Sequence, residues 1–164
     1  MKKYKDQRVG VLVDVSNMYH SAKNLFHRRV NYKEVLKEAV AGRRLIRAVA
    51  YAIRTESEEE MPFFEALDQL GFEVHMKDLQ IFAGGIKKAD WDVGITVDAI
   101  KLSPKLDVIV LVTGDGDFLP LVKYLRNTSG CLVEIMAFRQ TASTRLLEEA
   151  DDFTNLSDKK FLLK

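Results

Sequence analysis

A chain of 164 residues, 47% hydrophobic and 30% charged, has the size and composition of one globular domain with a real core. Lys and Arg number 25 against 24 Asp and Glu, so the field of the whole molecule, near +1, argues neither for nor against nucleic acid. No apolar stretch reaches about 18 residues, and strand-like residues rather than a signal-peptide core follow the basic N-terminus, which excludes a membrane helix and makes the cytoplasm the expected compartment. The single cysteine, Cys131, lies in an apolar strand-like run and excludes an internal disulfide.

Val9–Val13 reads as a buried strand that ends on Asp14. A helical pattern follows in Met18, Ala22, Leu25 and Phe26, with Ser16 or Asn17 as its expected cap. Asn31 is placed to cap a second helix over Tyr32–Ala41, which Gly42 stops. Arg44–Arg54 reads as a strand. Ser57 and the acids Glu58 to Glu60 mark a helix start, with Pro62 in its first turn and Phe63, Phe64, Leu67 and Leu70 as its inner stripe. Phe72–Leu79 alternates, as a strand near a sheet edge does, and Gln80–Ala89 is expected to form a loop or short hairpin. Three basic clusters are solvated faces or phosphate sites: one at Lys2 to Arg8, one at His27, Arg28, Arg29 and Lys33, one at Arg43, Arg44 and Arg47.

Asp90-Trp91-Asp92 opens the next helix, which Ser103-Pro104 stops. Asp92, in the first turn, can point towards a sheet crevice. Asp98 lies six residues on, about 120° around the helix, so the two acids cannot face one cation equally well. Gly94 weakens a helix and predicts close packing against a backbone, with the sheet as the candidate. Val108–Val112 is an uninterrupted apolar run, the pattern of a strand buried on both faces of a parallel sheet. It ends in Thr113-Gly114-Asp115-Gly116-Asp117 before helical spacing resumes at Phe118, which places Asp115 and Asp117 where open α/β sheets bind ligands. Two glycines let that turn bring both carboxylates to one point, where a cation or proton would relieve their repulsion. The alternative is a helix cap at Asp117 and a turn residue at Asp115. Asp14 occupies the same kind of position at the tip of the first strand. Cys131–Phe138 reads as a further strand, Ala142–Ala150 as a short helix and Phe153–Leu156 as a last strand.

The ordered set Asp14-x-x-Asn17, Asp90-Trp91-Asp92-Val93-Gly94-Ile95-x-x-Asp98-Ala99 and Thr113-Gly114-Asp115-Gly116-Asp117-Phe118 resembles an NYN domain of the LabA/DUF88 type, in the PIN-like nuclease superfamily. The tail from Ala142-Ser143 to Phe153 resembles that family's ending. The likeness spans nearly the whole chain and implies a three-layer α/β/α, PIN-like (Rossmannoid) domain with a mainly parallel central sheet, one domain over residues 1–164 with its core at about 9–156. It also implies a pocket of Asp14, Asp92, Asp115 and Asp117 around Mg²⁺ or Mn²⁺, with Asn17 and Thr113 beside it and Asp98 in support. The implied activity is metal-dependent hydrolysis of RNA.

Carboxylates are hard oxygen ligands suited to Mg²⁺, and a bound ion polarises a phosphoryl oxygen and acidifies a water. Substrate phosphates then need cations outside the acidic centre, for which Lys87 and Lys88 stand first and Arg28 and Arg29 second. Tyr19, Phe82 and Trp91 are candidates to stack on bases of single-stranded RNA, although core packing is the commoner role of such residues. The choice of RNA over DNA rests on the resemblance. Two rival functions remain: a non-catalytic module binding RNA or protein, and a phosphatase or phosphotransferase, which the absence of a second acid after Asp14-Val15-Ser16-Asn17 disfavours. GxGxxG is absent, which disfavours a dinucleotide site. A homodimer is left open by the sequence, with no unpaired apolar stripe to support it.

Overall fold

The computed structural model describes residues 1–55, 60–85 and 87–164; of Lys87 and Lys88 only the backbone is described. In chain order the elements are β1 (Arg8–Asp14), α1 (Val15–Phe26), β2 (Arg29–Val30), α2 (Tyr32–Val40), β3 (Arg44–Arg54) and α3 (Met61–Gln69). Then come β4 (Glu73–Asp78), β5 (Gln80–Ile81), β6 (Lys87–Lys88), α4 (Asp92–Leu102), β7 (Val108–Val112) and α5 (Leu119–Asn127). The chain closes with β8 (Leu132–Ala137), α6 (Thr144–Glu149), β9 (Asp152–Asn155) and β10 (Leu162–Leu163).

The main sheet runs β4-β3-β1-β7-β8-β9, and each neighbouring pair is parallel. The chain starts in the middle, builds outward through β3 and β4, then crosses back and builds outward the other way through β7, β8 and β9. Met18, Ala22, Val35, Ala39, Phe64 and Leu67 pack α1, α2 and α3 on one face of the sheet. Ile95, Ala99, Leu121, Val122, Leu125 and Leu146 pack α4, α5 and α6 on the other. This is a doubly wound α/β/α fold, and its winding reverses between β1 and β7. A crevice therefore opens at the carboxyl ends of those two strands.

Burial explains why these two strands are central. All five residues of Val108–Val112 are fully buried, as are Val9, Val11 and Val13 of β1. Each such side chain contributes about 1.5–3 kcal/mol of transfer free energy. Strands covered on both faces have no use for the polar alternation that β4 retains at the sheet edge.

Most elements follow the expected pattern, and the departures have local causes. Asp14 itself caps α1: its side chain accepts the Asn17 backbone N–H at 3.3 Å, in place of a cap from Ser16 or Asn17. Asn31 caps α2 as expected, accepting from Glu34 N at 3.3 Å. Residues 56–59, and with them most of the acidic helix start, lie outside the described residues. Described helix α3 begins at Met61 with Pro62 in its first turn. The loop after β4 does form a hairpin, β5 pairing antiparallel with β6. Beyond β9 the chain adds a strand that the sequence pattern misses: Leu162–Leu163 pairs antiparallel with Arg29–Val30.

The third basic cluster is dispersed by the fold. The Arg43 guanidinium is fully buried and holds Glu134 of β8 through two hydrogen bonds of 2.8 and 2.9 Å. It also donates to the carbonyls of Ala39 and Val40 at the end of α2. Arg47 pairs instead with Glu73 across β3 and β4. Because the Arg43–Glu134 pair is buried and fully hydrogen-bonded, removing one partner strands the other charge. Arg43→Ala is expected to destabilise the protein by about 3–5 kcal/mol in urea unfolding, whereas an apolar replacement of both partners costs much less.

Candidate metal centre

Three elements deliver carboxylates to the crevice. Asp14 ends β1, Asp92 opens α4, and Asp115 and Asp117 occupy the turn between β7 and α5. Asp92, Asp115 and Asp117 each present a carboxylate oxygen, and these oxygens lie within 4.8 Å of one another. Asp14 lines the same cleft beside Asp92 and Asp115 but stands outside that trio. The cleft encloses about 390 Å³.

Hydrogen bonds lace the two central strands together under these acids. Thr113, 1% exposed, donates its hydroxyl to Asp14 Oδ2 at 3.2 Å. The same hydroxyl oxygen accepts the Asp115 N–H at 3.2 Å, so one side chain orients acids from both strands. Asn17 Oδ1 accepts the Gly114 N–H at 3.0 Å, fixing the end of β7 to the first turn of α1. Asp115 Oδ1 accepts the Asp117 N–H at 2.9 Å, which makes Asp115 the cap of the 3-10 turn Gly116–Phe118. The Asp117 side chain caps nothing and is exposed.

The two glycines of this turn serve a different purpose from the one their flexibility predicts. Neither Gly114 nor Gly116 has a positive φ. A Cβ on Gly114 would lie 3.0 Å from the Ala142 backbone, and one on Gly116 would lie 2.9 Å from Ser143 Oγ. Glycine is required here for room, because the segment before α6 crosses directly over the turn. Gly94 likewise makes room, not for the sheet but for the Trp91 ring, whose Cε3 would be 2.5 Å from an added Cβ.

Asp92 is held in place from behind. The Trp91 indole N–H donates to the Ala52 carbonyl at 2.8 Å, and Lys77 Nζ donates to the Asp90 carbonyl at 2.8 Å while lying over the Trp91 ring. Asp90 Oδ1 accepts the Asp92 N–H at 3.1 Å. Asp98 faces away from the trio: the Tyr51 hydroxyl donates to it at 2.8 Å, and His75 Nδ1 is 3.9 Å away. Burial and this bond push the Tyr51 hydroxyl well above the usual phenol range.

Trp91 is thus a packing residue, as its type predicts, whereas Phe82 and Tyr19 are exposed. Arg28 and Arg29 lie at the far end of α1, outside the acidic cleft. The lysine side chains at 87 and 88 lie outside the described structure. His20, Ser21, Asn24 and Thr141 also line the cleft and are not singled out by the sequence, and Asp90, read there only as part of a helix start, lines it too. A helical projection from Asp14 finds three of them, since Asn17, His20, Ser21 and Asn24 follow at i+3, i+6, i+7 and i+10. Nothing in the local pattern marks Thr141, which the loop after β8 brings in against Ser21 Oγ at 3.1 Å.

The donor set fits a hard divalent cation: three carboxylates converge, and no Lys or Arg lines the described cleft. Their charges already perturb one another. Burial first, then the fields of Asp115, Asp90, Asp14 and Asp117, push the Asp92 carboxyl up to about 6. Burial also raises Asp14, against the opposing bonds from Asn17 and Thr113.

A three-layer doubly wound domain with an acidic cleft at the switch point is consistent with a PIN-like fold. Residues 8–157 match the NYN domain, and the chain belongs to that family. It is 28% identical to the low amplitude and bright protein LabA of Synechococcus elongatus over 134 residues, 75% of this chain and 70% of that protein. A solved structure of a protein of unknown function, VPA0982 of Vibrio parahaemolyticus, shares 33% identity with a TM-score of 0.90, covering 99% of this chain and 100% of the other. Among the described residues no helix is long and apolar enough to cross a membrane.

The raised Asp92 value sets a pH dependence. Its folded pKa exceeds the ordinary 3.8, so the ion-free native state binds more protons than the unfolded chain between about pH 4 and 6. Ion-free stability therefore falls as pH rises through that window and levels off above it. Asp92→Asn is expected to raise the ion-free Tm at pH 7.5 by about 2 °C, a difference that shrinks towards pH 4. Thermal scans at several pH values check this, and added Mn²⁺ should raise the wild-type Tm more than that of the variant.

Proposed function

We propose that the protein is a metal-dependent endoribonuclease that hydrolyses RNA phosphodiester bonds in the cleft between β1 and β7. The observation that carries this reading is the convergence of Asp92, Asp115 and Asp117 within 4.8 Å, from two separate elements, at the winding reversal of the sheet. Membership of the NYN family supports it. Asp92, Asp115 and Asp117 would hold Mg²⁺ or Mn²⁺, with Asp14 beside them in the same cleft. When bound, such an ion supplies Lewis-acid polarisation of the scissile phosphate and lowers the pKa of a water.

The chain's own groups have distinct tasks. Asp14, raised in pKa and held by Thr113, would accept a proton from the attacking water. Asn17 spends its amide oxygen on Gly114 and keeps its NH₂ group for a phosphate oxygen. Asp98 supports α4 through Tyr51 and touches no reacting atom. A phosphoaspartyl mechanism fits less well, since it wants a cationic phosphate anchor and the described cleft lining has none. Single-stranded RNA suits an open cleft better than a duplex does, because unstacked bases can be splayed to reach it.

Cleavage of a labelled single-stranded RNA tests the proposal. It should require Mg²⁺ or Mn²⁺, stop in EDTA, and disappear in Asp14→Asn and Asp115→Asn. Thr113→Val and Asn17→Ala, which remove orienting bonds, should lose about 10–100-fold. RNA bound without cleavage under every metal condition would replace this reading with a non-catalytic binding module.

A further inference from the structure

The far end of α1 carries a second pocket, of about 320 Å³, lined by Tyr19, Lys23, His27, Arg28, Arg29 and Lys164. No Asp or Glu is among the described residues that line it. Arg8, Arg43, Arg47, Arg54 and Arg126 each sit against an acid, but Lys23, Arg28, Arg29 and Lys164 have no carboxylate partner among the described residues. In a chain of formal charge +1, four uncompensated cations around one concavity are a strong local departure. The tertiary structure assembles them: Arg29 pairs with Leu163 in the β2–β10 ladder, which brings Lys164 beside α1.

This pocket adjoins the acidic cleft. Ser16, Asn17, His20, Ser21 and Asn24 of α1 line the cleft, while Tyr19, Lys23 and His27 line the basic pocket. At 100° per residue these form neighbouring arcs of one helix surface. The rings of Tyr19 and His20 meet edge-to-face at 5.3 Å across the boundary. Tyr19 is half exposed, and the Lys23 ammonium lies 5.6 Å from its ring centre. An exposed aromatic face beside free cations suits a base stacked next to its phosphates. Helix α1 spans 12 residues, about 18 Å, or the length of about five stacked nucleotides.

We propose that the exposed face of α1 is a binding track for single-stranded RNA, along which Lys23, Arg28, Arg29 and Lys164 hold the sugar-phosphate backbone and Tyr19 stacks a base, a few nucleotides from the acidic cleft. The track rests on reading that cleft as the place where an RNA strand is engaged. It also resolves an electrostatic difficulty, since a cluster of carboxylates repels the strand it would act on until cations elsewhere retain it.

Binding of a fluorescein-labelled 12-nucleotide single-stranded RNA, followed by anisotropy in EDTA over a range of salt, tests the track without turnover. Each backbone phosphate neutralised adds about −0.7 to the slope of log K against log salt. Lys23→Ala/Arg28→Ala/Arg29→Ala should flatten that slope by about 2 and weaken binding by about 10–100-fold. Tyr19→Leu should weaken binding about tenfold with the slope unchanged. A control lacking three exposed lysines on the opposite face of the sheet, Lys101→Ala/Lys105→Ala/Lys123→Ala, should bind as the wild type does. Equal effects of the two triple variants, wild-type behaviour of the first, or binding to phosphatidylserine vesicles but not RNA would each overturn the track. Turnover unaffected by the first triple variant would overturn the track and leave the nuclease reading standing. Salt-dependent binding through α1 with no turnover in Mg²⁺ or Mn²⁺ would do the reverse.

Discussion

Carboxylates brought within 4.8 Å of one another repel, and much of the structure around the cleft serves to hold them against that repulsion. The force comes from elsewhere in the fold. Parallel pairing of β1 with β7, both sealed in apolar side chains, places Asp14 and the Thr113–Asp117 turn side by side whatever their charges prefer. Thr113 then ties the two strand ends with one hydroxyl, and Asn17 ties them again through Gly114. Burial first, and then the repulsion that remains, raises the pKa of Asp92, the acid that arrives on a separate helix.

Asp14 and Asp115 illustrate how one residue serves structure and site together. Each caps a helical turn with one carboxylate oxygen. A carboxylate has two oxygens and about four acceptor positions, so a cap leaves capacity for a cation or a water. Capping and ligand binding are therefore not rivals here. The cap fixes the side chain's direction, which a site needs before it can hold anything in a defined place.

The site also depends on packing several residues away. Gly94 leaves space for the Trp91 ring, whose N–H reaches the edge of β3, and Lys77 closes over the same ring while holding the Asp90 carbonyl. Asp98 and Tyr51 pin the second turn of α4 to β3. These contacts set where α4 starts, and so where Asp92 points. Charge is distributed on the same principle of separation: acids gather at the N-terminal end of α1 and free cations at its C-terminal end, where they also oppose the helix dipole.

The elements and their edges were legible in the sequence because they follow from periodicity and capping, which are local. β3 has the limits that its apolar run suggests, Asn31 caps α2, and the alternation over Phe72–Leu79 does belong to an edge strand. The acids at the ends of β1 and β7 were legible for the same reason, as abrupt polar stops to apolar runs. Strand order is not local. Local pattern leaves open whether β1 and β7 are neighbours and whether Asp92 meets Asp115 and Asp117, a grouping that only the family resemblance implied; the tertiary structure brings the three together and turns Asp98 to Tyr51. It also decided the reason for glycine at 114 and 116, since the crowding comes from Ala142 and Ser143, far along the chain. The basic pocket divides the same way: Arg28 and Arg29 stand out in the sequence, but Lys23, Tyr19 and Lys164 join them only through one turn of helix and a ladder between β2 and β10. Local patterns determine what each segment is; long-range pairing determines which side chains meet.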